Sequence, residues 1–153
     1  MRCSPRLAIV LLAAVTVGAV VLAAAPASAQ TLGVRVGAST SPQQFFFGGH
    51  VETPPLGDRL YFRPNVEIGI GDDVTLVTAN FEVVYKFELP KPWGLYAGAG
   101  PALNVISDVS RHAEGGFNFL AGVEHESGIF AEVKAGVIDS PRFKVTIGYT
   151  FRK

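Results

Sequence analysis

The segment LYFRPNVEIGI, Leu60–Ile70, decides how the rest of the chain is interpreted. Its residues alternate between an apolar set, which includes Val66 and Ile68, and a polar set, which includes Arg63 and Glu67. A period of two is typical of a β-strand with two unlike faces. In a soluble protein the apolar face meets the protein interior, whereas in a small membrane barrel the polar face does. The fold class therefore depends on which face of these strands points inward.

The same alternation recurs along the chain from Thr31 onward, where no amphipathic helix is recognisable. Seven groups of turn-forming residues, rich in Gly, Pro, Ser and Asp, divide this region into eight segments. The segments predict strands at residues 32–39, 43–52, 59–70, 74–89, 93–106, 112–126, 129–138 and 142–151. Most have about the length, roughly 9–11 residues, that a tilted transmembrane strand needs. The short connections between them indicate an antiparallel up-and-down order.

The beginning of the chain has the layout of a secretory signal peptide. Arg2 and Arg6 precede the apolar run Leu7–Ala25, which is followed by Pro26 and by a small-residue triplet that ends directly before Gln30. The run is also long enough to cross a bilayer as an uncleaved anchor. The proline and the small residues favour cleavage instead.

Composition excludes several classes of function. The only cysteine, Cys3, lies in the expected signal peptide, so the mature chain has no thiol for a disulfide, a thiolate metal site or a cysteine nucleophile. The formal net charge is zero, which gives no electrostatic reason to expect a nucleic acid as partner. The three histidines, His50, His112 and His125, are too scattered to predict a metal site. We expect neither a metal nor a cofactor.

Glycine placement is the first argument for a polar interior. Eleven strand glycines share the polar parity, where a solvated face would have little use for them. The lumen of an eight-stranded barrel is just wide enough for side chains, so small residues must alternate with large ones there. These glycines are Gly33, Gly37, Gly48, Gly69, Gly94, Gly98, Gly100, Gly116, Gly122, Gly136 and Gly148.

Charge placement is the second argument. The polar parity carries seven basic and seven acidic residues, and buried charges must be paired because an isolated one is costly. The same balance is compatible with an ordinary mixed surface. We predict a lumen charge network formed by Arg35, Glu52, Arg63, Glu67, Glu82, Lys86, Glu114, Glu124, Glu132, Lys134 and Lys144.

Aromatic residues are the third argument. Eleven of them lie on the apolar parity, and a soluble barrel with an apolar lumen could not easily accommodate so many rings together with the aliphatic residues. Four lie near strand ends, where a membrane barrel carries an interfacial aromatic girdle: Phe87, Trp93, Tyr149 and Phe151. Periodicity alone does not exclude the alternative, a soluble periplasmic lipocalin-like barrel that binds an apolar ligand.

The chain resembles the small outer-membrane β-barrel proteins of Gram-negative bacteria, of the outer membrane protein A/X and opacity-protein type. The resemblance rests on the export signal, the eight alternating strands and Gly/aromatic-rich segments such as GLYAGAGPALNV, Gly94–Val105. The last strand, VTIGYTF, also resembles the C-terminal signature that such proteins present to the barrel-assembly machinery. That signature normally ends on the aromatic residue, whereas here Arg152 and Lys153 follow Phe151. The resemblance covers the whole mature chain, but its motifs belong to an architecture and do not identify one protein.

This resemblance implies that both termini lie in the periplasm and that the connections after strands one, three, five and seven face outward. These connections are short, which departs from the long outer loops of many such barrels and argues against an adhesin or receptor role. Pro64 and Pro101 fall within predicted strands, where each removes a ladder donor. We expect a local bulge at each proline.

One motif suggests chemistry. His125 and Ser127, in the sequence EHESG, are similar to the His-x-Ser pair of outer-membrane lipid A deacylases. The rest of that family's motif is missing, and the expected topology places the pair at the periplasmic end, away from outer-leaflet lipid A. We interpret the segment as a hairpin turn, and His50, which shares the polar face with Glu52, as a hydrogen-bonded lumen residue.

The sequence therefore predicts an all-β protein: an eight-stranded antiparallel up-and-down transmembrane barrel over residues 30–153, preceded by a cleavable helical signal peptide over residues 1–29. Eight strands leave a lumen filled by side chains, which argues against an aqueous pore although the architecture is porin-like. We expect a non-enzymatic, monomeric outer-membrane protein with a structural or interaction role. Its expected partners are outer-membrane lipid and the assembly machinery. The alternatives are the soluble ligand-binding barrel and, less favoured, a lipid A-modifying enzyme.

Overall fold

The computed structural model describes residues 30–71, 75–107 and 112–152. These residues form a closed barrel of eight antiparallel strands that follow one another in sequence order. The strands are β1 (Thr31–Thr40), β2 (Gln43–Glu52), β3 (Leu60–Ile70), β4 (Thr75–Phe87), β5 (Trp93–Ser107), β6 (His112–His125), β7 (Ile129–Ile138) and β8 (Phe143–Phe151). The predicted fold and its eight strands are confirmed. The expected signal peptide, and parts of the β3–β4 and β5–β6 connections, lie outside the described residues.

The barrel closes where its first strand meets its last. β1 pairs with β2 on one side and with β8 on the other, and Val34 lies opposite both Gly49 and Tyr149. We name the end where β1 begins and β8 finishes the terminal end; it carries the β2–β3, β4–β5 and β6–β7 connections. The opposite end, named the distal end, carries the other four connections. Within the described ranges, no helix is long and apolar enough to cross a membrane.

The polar face of the strands points into the barrel. Among the described residues, eighteen buried side chains are polar or charged and only seven are hydrophobic. Glu67 and Lys134 are each 1% exposed, whereas Ile147 and Phe119 on the other parity are 58% and 53% exposed. This distribution is the reverse of a soluble domain, where apolar residues fill the interior.

Glycines on the inner wall make room for the few aromatic rings inside. A Cβ atom added at Gly122 would lie 2.4 Å from the ring of Tyr96, and one at Gly148 would lie 2.3 Å from the ring of Phe130. Each ring therefore occupies the space that the facing glycine leaves empty, which keeps the narrow lumen filled without overpacking. Cross-strand pairs of this kind include Gly37–Phe46, Tyr96–Gly122 and Phe130–Gly148.

The expectation of bulges at the two strand prolines is wrong. The β3–β4 register runs unbroken from Leu60 to Ile70, and the β4–β5 register is the same on both sides of Pro101. What changes is the pairing: β2–β3 pairing stops one residue after Pro64, and β4–β5 pairing is interrupted opposite Pro101. The missing N–H donors thus fall where the ladder already has gaps, so no extra residue is needed.

Candidate functional site in the barrel lumen

Among the described residues, ten charged side chains converge inside the barrel and form a continuous network of ion pairs. Seven of the eight strands contribute to it, because each places its polar parity on the inner wall. Five members are basic and five are acidic, so the network is formally neutral. They are Arg35, Arg63, Lys86, Lys134 and Lys144, with Glu52, Glu67, Glu82, Glu124 and Glu132.

Glu67 lies at the centre of the network. Its carboxylate accepts hydrogen bonds from Lys144 Nζ at 2.7 Å, Lys134 Nζ at 3.2 Å and Arg35 Nη1 at 3.3 Å. These three cations come from β8, β7 and β1, so a single carboxylate on β3 connects strands on both sides of the lumen. Its burial removes the competition from water that weakens surface ion pairs.

Glu82 and Glu132 extend the network from this centre. Lys134 Nζ donates to Glu82 Oε1 at 2.7 Å, and Arg35 Nη1 donates to Glu132 Oε1 at 3.4 Å. Lys134 therefore interacts with two carboxylates at hydrogen-bonding distance, and Arg35 does the same. Shared partners of this kind satisfy buried charges without adding further ionisable groups.

A second cluster lies toward the terminal end. Arg63 donates to Glu52 through Nε at 3.0 Å and Nη2 at 2.5 Å, and Lys86 Nζ bridges Glu52 at 2.7 Å and Glu124 at 3.2 Å. Arg152, which follows the last strand, reaches Glu124 at 2.9 Å. The residue that departs from the usual C-terminal signature is thus tied into the barrel mouth. Arg63 Nη1 lies 3.6 Å from a carboxylate oxygen of Glu132 and so connects the two clusters.

Aromatic rings inside the lumen contact the cations, a role that was not predicted from the sequence. The guanidinium of Arg63 lies 4.4 Å from the ring centroid of Tyr96, whose hydroxyl donates to Glu132 at 2.9 Å. Lys144 lies over Phe46, and Arg35 lies over Phe130. Cation–π contacts are strongest where water is excluded, as it is here. The signal in the sequence was the polar parity of these three aromatic residues.

Amides, hydroxyls and one imidazole fill further parts of the polar lumen. Asn118 donates to Asn80 at 2.8 Å, Asn80 donates to Asn65 at 2.7 Å, and Asn65 donates to Glu82 at 2.7 Å. His50 is 3% exposed and its Nε2 lies 3.1 Å from the hydroxyl of Thr150. The lumen is therefore occupied by side chains from the charge clusters into the amide chain, as expected for a small barrel.

The remaining predicted residues lie elsewhere. Glu114 is half-buried on β6 and lines a cavity at the distal end. The four predicted girdle residues lie on the outer surface near the terminal end, exposed by 40–54%. They take part in edge-to-face ring contacts that add two residues not foreseen, Tyr85 and His125. These contacts are Tyr85–Phe87, Trp93–His125 and Tyr149–Phe151.

The His125–Ser127 pair is a contact within the β6–β7 turn. Ser127 Oγ lies 2.9 Å from His125 Nδ1, and the backbone N–H of Ser127 donates to the same nitrogen at 3.1 Å. The imidazole ring packs against Trp93. The side chain of His112 lies outside the described residues.

Comparison with known proteins supports the fold alone. No family model matches the chain, and no curated protein matches it. Among solved structures, the crystal structure of Neisserial surface protein A superposes on the chain with a TM-score of 0.63 and 18% sequence identity. The match covers 81% of this chain and 95% of that one. At this identity the likeness establishes a shared barrel architecture and carries no residue-level role.

Proposed function

We propose that the chain is an outer-membrane β-barrel protein with a structural or interaction role and a lumen closed by its own side chains. The observation that carries this proposal is the inverted distribution of polarity, with a charged interior and large apolar residues outside. An apolar outer band costs free energy in water but is stabilised by lipid acyl chains. The similarity to a bacterial surface protein supports the same environment.

The proposed location is the outer membrane of a Gram-negative bacterium, reached through a cleaved signal peptide, and the proposed family is the outer membrane protein A/X and opacity-protein type. Outer-membrane lipid and the barrel-assembly machinery are the proposed partners, and the barrel is a monomer. The exposed aromatic residues at the terminal end fit the girdle of a membrane interface. The soluble lipocalin-like alternative is disfavoured because it requires an apolar lumen.

We also propose that the protein is not an enzyme. The nitrogen of His125 that faces the Ser127 hydroxyl also accepts the backbone N–H of Ser127, an arrangement typical of a turn-stabilising side chain. If the pair were catalytic, His125→Ala would abolish lipid A deacylation by the purified barrel. We expect radiolabelled lipid A to be unchanged by both the parent chain and this variant.

Cell fractionation tests the main proposal. The full chain, expressed in a Gram-negative host, is expected in the outer-membrane fraction after density-gradient separation and to resist extraction with alkaline carbonate. The folded barrel is expected to migrate faster on SDS gels before boiling than after it. Recovery in the soluble periplasmic fraction would overturn the proposal.

A further inference from the structure

The apolar belt on the outer surface differs in height from one side of the barrel to the other. Outward residues that are aliphatic, aromatic or glycine occupy four positions on β1, within residues 32–38, and four on β2, within residues 45–51. They occupy six positions on β4, within residues 77–87, and seven on β5, within residues 93–105. In the closed strand order β5 lies four strands from β1, on the far side of the barrel. We name β1 and β2 the short wall, and β4 and β5 the tall wall.

Strand geometry converts these spans into heights along the membrane normal. With a rise of about 3.3 Å per residue and a tilt of about 45°, the outermost apolar Cα atoms are about 14 Å apart on β1 or β2 and about 28 Å apart on β5. The lipid-facing band of an outer-membrane barrel is about 25 Å tall. Tilting the whole barrel would move a wall up or down but would scarcely change its height. The tall wall therefore matches a bilayer that is too thick for the short wall.

Polar residues bound the short wall at both of its edges. Thr40 and Gln43 lie opposite each other in the β1–β2 register at the distal edge, and both are exposed. Thr53 lies directly after β2, at the terminal edge. A bilayer as thick as the tall wall would bring acyl chains level with Thr40 and Thr53, and polar groups placed among acyl chains are costly. The short wall therefore favours a thinner layer of lipid.

From this geometry we propose that the barrel thins the membrane beside β1 and β2, so that the short wall is covered by lipid with compressed acyl chains while the tall wall contacts lipid of full thickness. A bilayer accommodates a short apolar span in this way at a modest free-energy cost per ångström of mismatch. The inference rests on the proposed function, because only a barrel in lipid has a height that must be matched. The occupant of the short wall is lipid and not a second copy of the chain.

Unfolding from bilayers of graded thickness tests this proposal. The full chain is expressed in a Gram-negative host, purified from its outer membranes and reconstituted into phosphatidylcholine vesicles whose two monounsaturated chains have 14, 16 or 18 carbons. Urea unfolding is followed by the fluorescence of Trp93. We expect the equilibrium constant of unfolding to rise about tenfold from the thinnest to the thickest bilayer, because the mismatch at the short wall grows.

Two variants and one matched control assign this dependence to the short wall. Thr40→Leu combined with Gln43→Leu adds one outward apolar residue to each strand of that wall, and we expect the tenfold dependence to fall to about threefold. Gln43→Leu alone is expected to lower it to about fivefold, and it serves if the double variant does not fold. Thr75→Leu makes the same change at an exposed position on the distal edge of the tall wall. It is expected to leave the dependence as in the parent chain.

Heat-modifiable migration, measured first in the same vesicles, separates the two proposals. A chain that does not insert would contradict the proposed function and the thinning inference with it. An inserted chain whose stability is independent of thickness, or responds equally to Thr75→Leu and to the short-wall variants, would overturn the thinning inference alone. Val36→Cys, made with Cys3→Ser so that it is the only cysteine, lies in the middle of the short wall. We expect it to stay monomeric under oxidation, and an intermolecular disulfide in dilute vesicles would place a second copy on this wall and overturn the inference.

Discussion

Replacing Glu67 with glutamine removes one negative charge from the centre of the lumen network while preserving the side chain's shape. Glu67 is 1% exposed and is the common partner of Arg35, Lys134 and Lys144. Breaking a buried ion pair by removing one partner typically costs about 3–5 kcal/mol, because the remaining charge is buried and uncompensated. We expect Glu67→Gln to lower the free energy of unfolding by about that amount.

The contacts show which buried cation loses its only ion-pair partner when Glu67 is replaced. Lys134 keeps Glu82 at 2.7 Å, whereas Lys144 has no second carboxylate within ion-pair distance among the described residues. Converting Lys144 to methionine in the Glu67→Gln background removes this unpaired charge and preserves much of the side chain's volume. The double variant is therefore expected to regain at least about 1 kcal/mol relative to Glu67→Gln.

Urea unfolding of the barrel from lipid vesicles measures these differences. Trp93 is the only tryptophan in the chain and lies on the outer surface, so its fluorescence reports transfer from lipid to water. Glu88→Gln is the matched control, because Glu88 pairs with Arg59 on the exposed surface and such pairs contribute less than about 1 kcal/mol. The reasoning is refuted if Glu67→Gln unfolds within 1 kcal/mol of the parent protein, or if removing Lys144 makes the variant less stable still.

Three further changes test other parts of the structure. Ile147→Arg, on the outer face in the middle of β8, is expected to lower the free energy of unfolding from vesicles by about 2–4 kcal/mol. The control Leu56→Arg, in the exposed β2–β3 loop, is expected to change it little, and an Ile147→Arg variant as stable as the parent would argue against lipid contact. Gly148→Ala is expected to lower the free energy of unfolding by about 1–3 kcal/mol because its Cβ would meet the Phe130 ring. The control Gly115→Ala places its Cβ in open space, and equal stabilities of the two variants would contradict the glycine–aromatic packing. Tyr96→Phe is expected to lower the free energy of unfolding by about 1–3 kcal/mol because the hydrogen bond to the Glu132 carboxylate is lost. Tyr96→Leu is expected to lower it further because it also removes the ring under Arg63, and urea midpoints that rank the two variants in reverse would disprove both roles.

The sequence was sufficient for the strands, because their signal is local. Alternation and turn residues are properties of neighbours in the chain, so the strand limits could be predicted within two residues. The register of a hairpin also follows from its turn, and it would have identified pairs such as Tyr96–Gly122. The polar parity of Tyr96 and of Phe130 is a property of the sequence, whereas their glycine partners follow only when the register of each hairpin is added to it.

The partners within the lumen could not be predicted, because they meet across the barrel. Arg35 and Glu132 are 97 positions apart, and their contact depends on strand tilt and on how far each side chain reaches. Local patterning also could not show that Glu114 lies beside the distal cavity, or that Arg152 turns back to Glu124. The prediction of bulges at Pro64 and Pro101 was wrong for a related reason. The gaps in the hydrogen-bond ladder that accommodate these prolines depend on how two strands pair, which is not a local property of either strand.

The equal number of acidic and basic side chains in the lumen network has a consequence for how the chain reaches eight strands. Of the ten network members, strands β1 to β6 supply three bases and four acids, and the β7–β8 hairpin supplies two bases and one acid. A premature closure on six strands would trap a surplus carboxylate and leave Glu67 and Glu82 without their lysines. The ion-pair network therefore contributes its full stability only after the final hairpin, with Lys134 and Lys144, has been added.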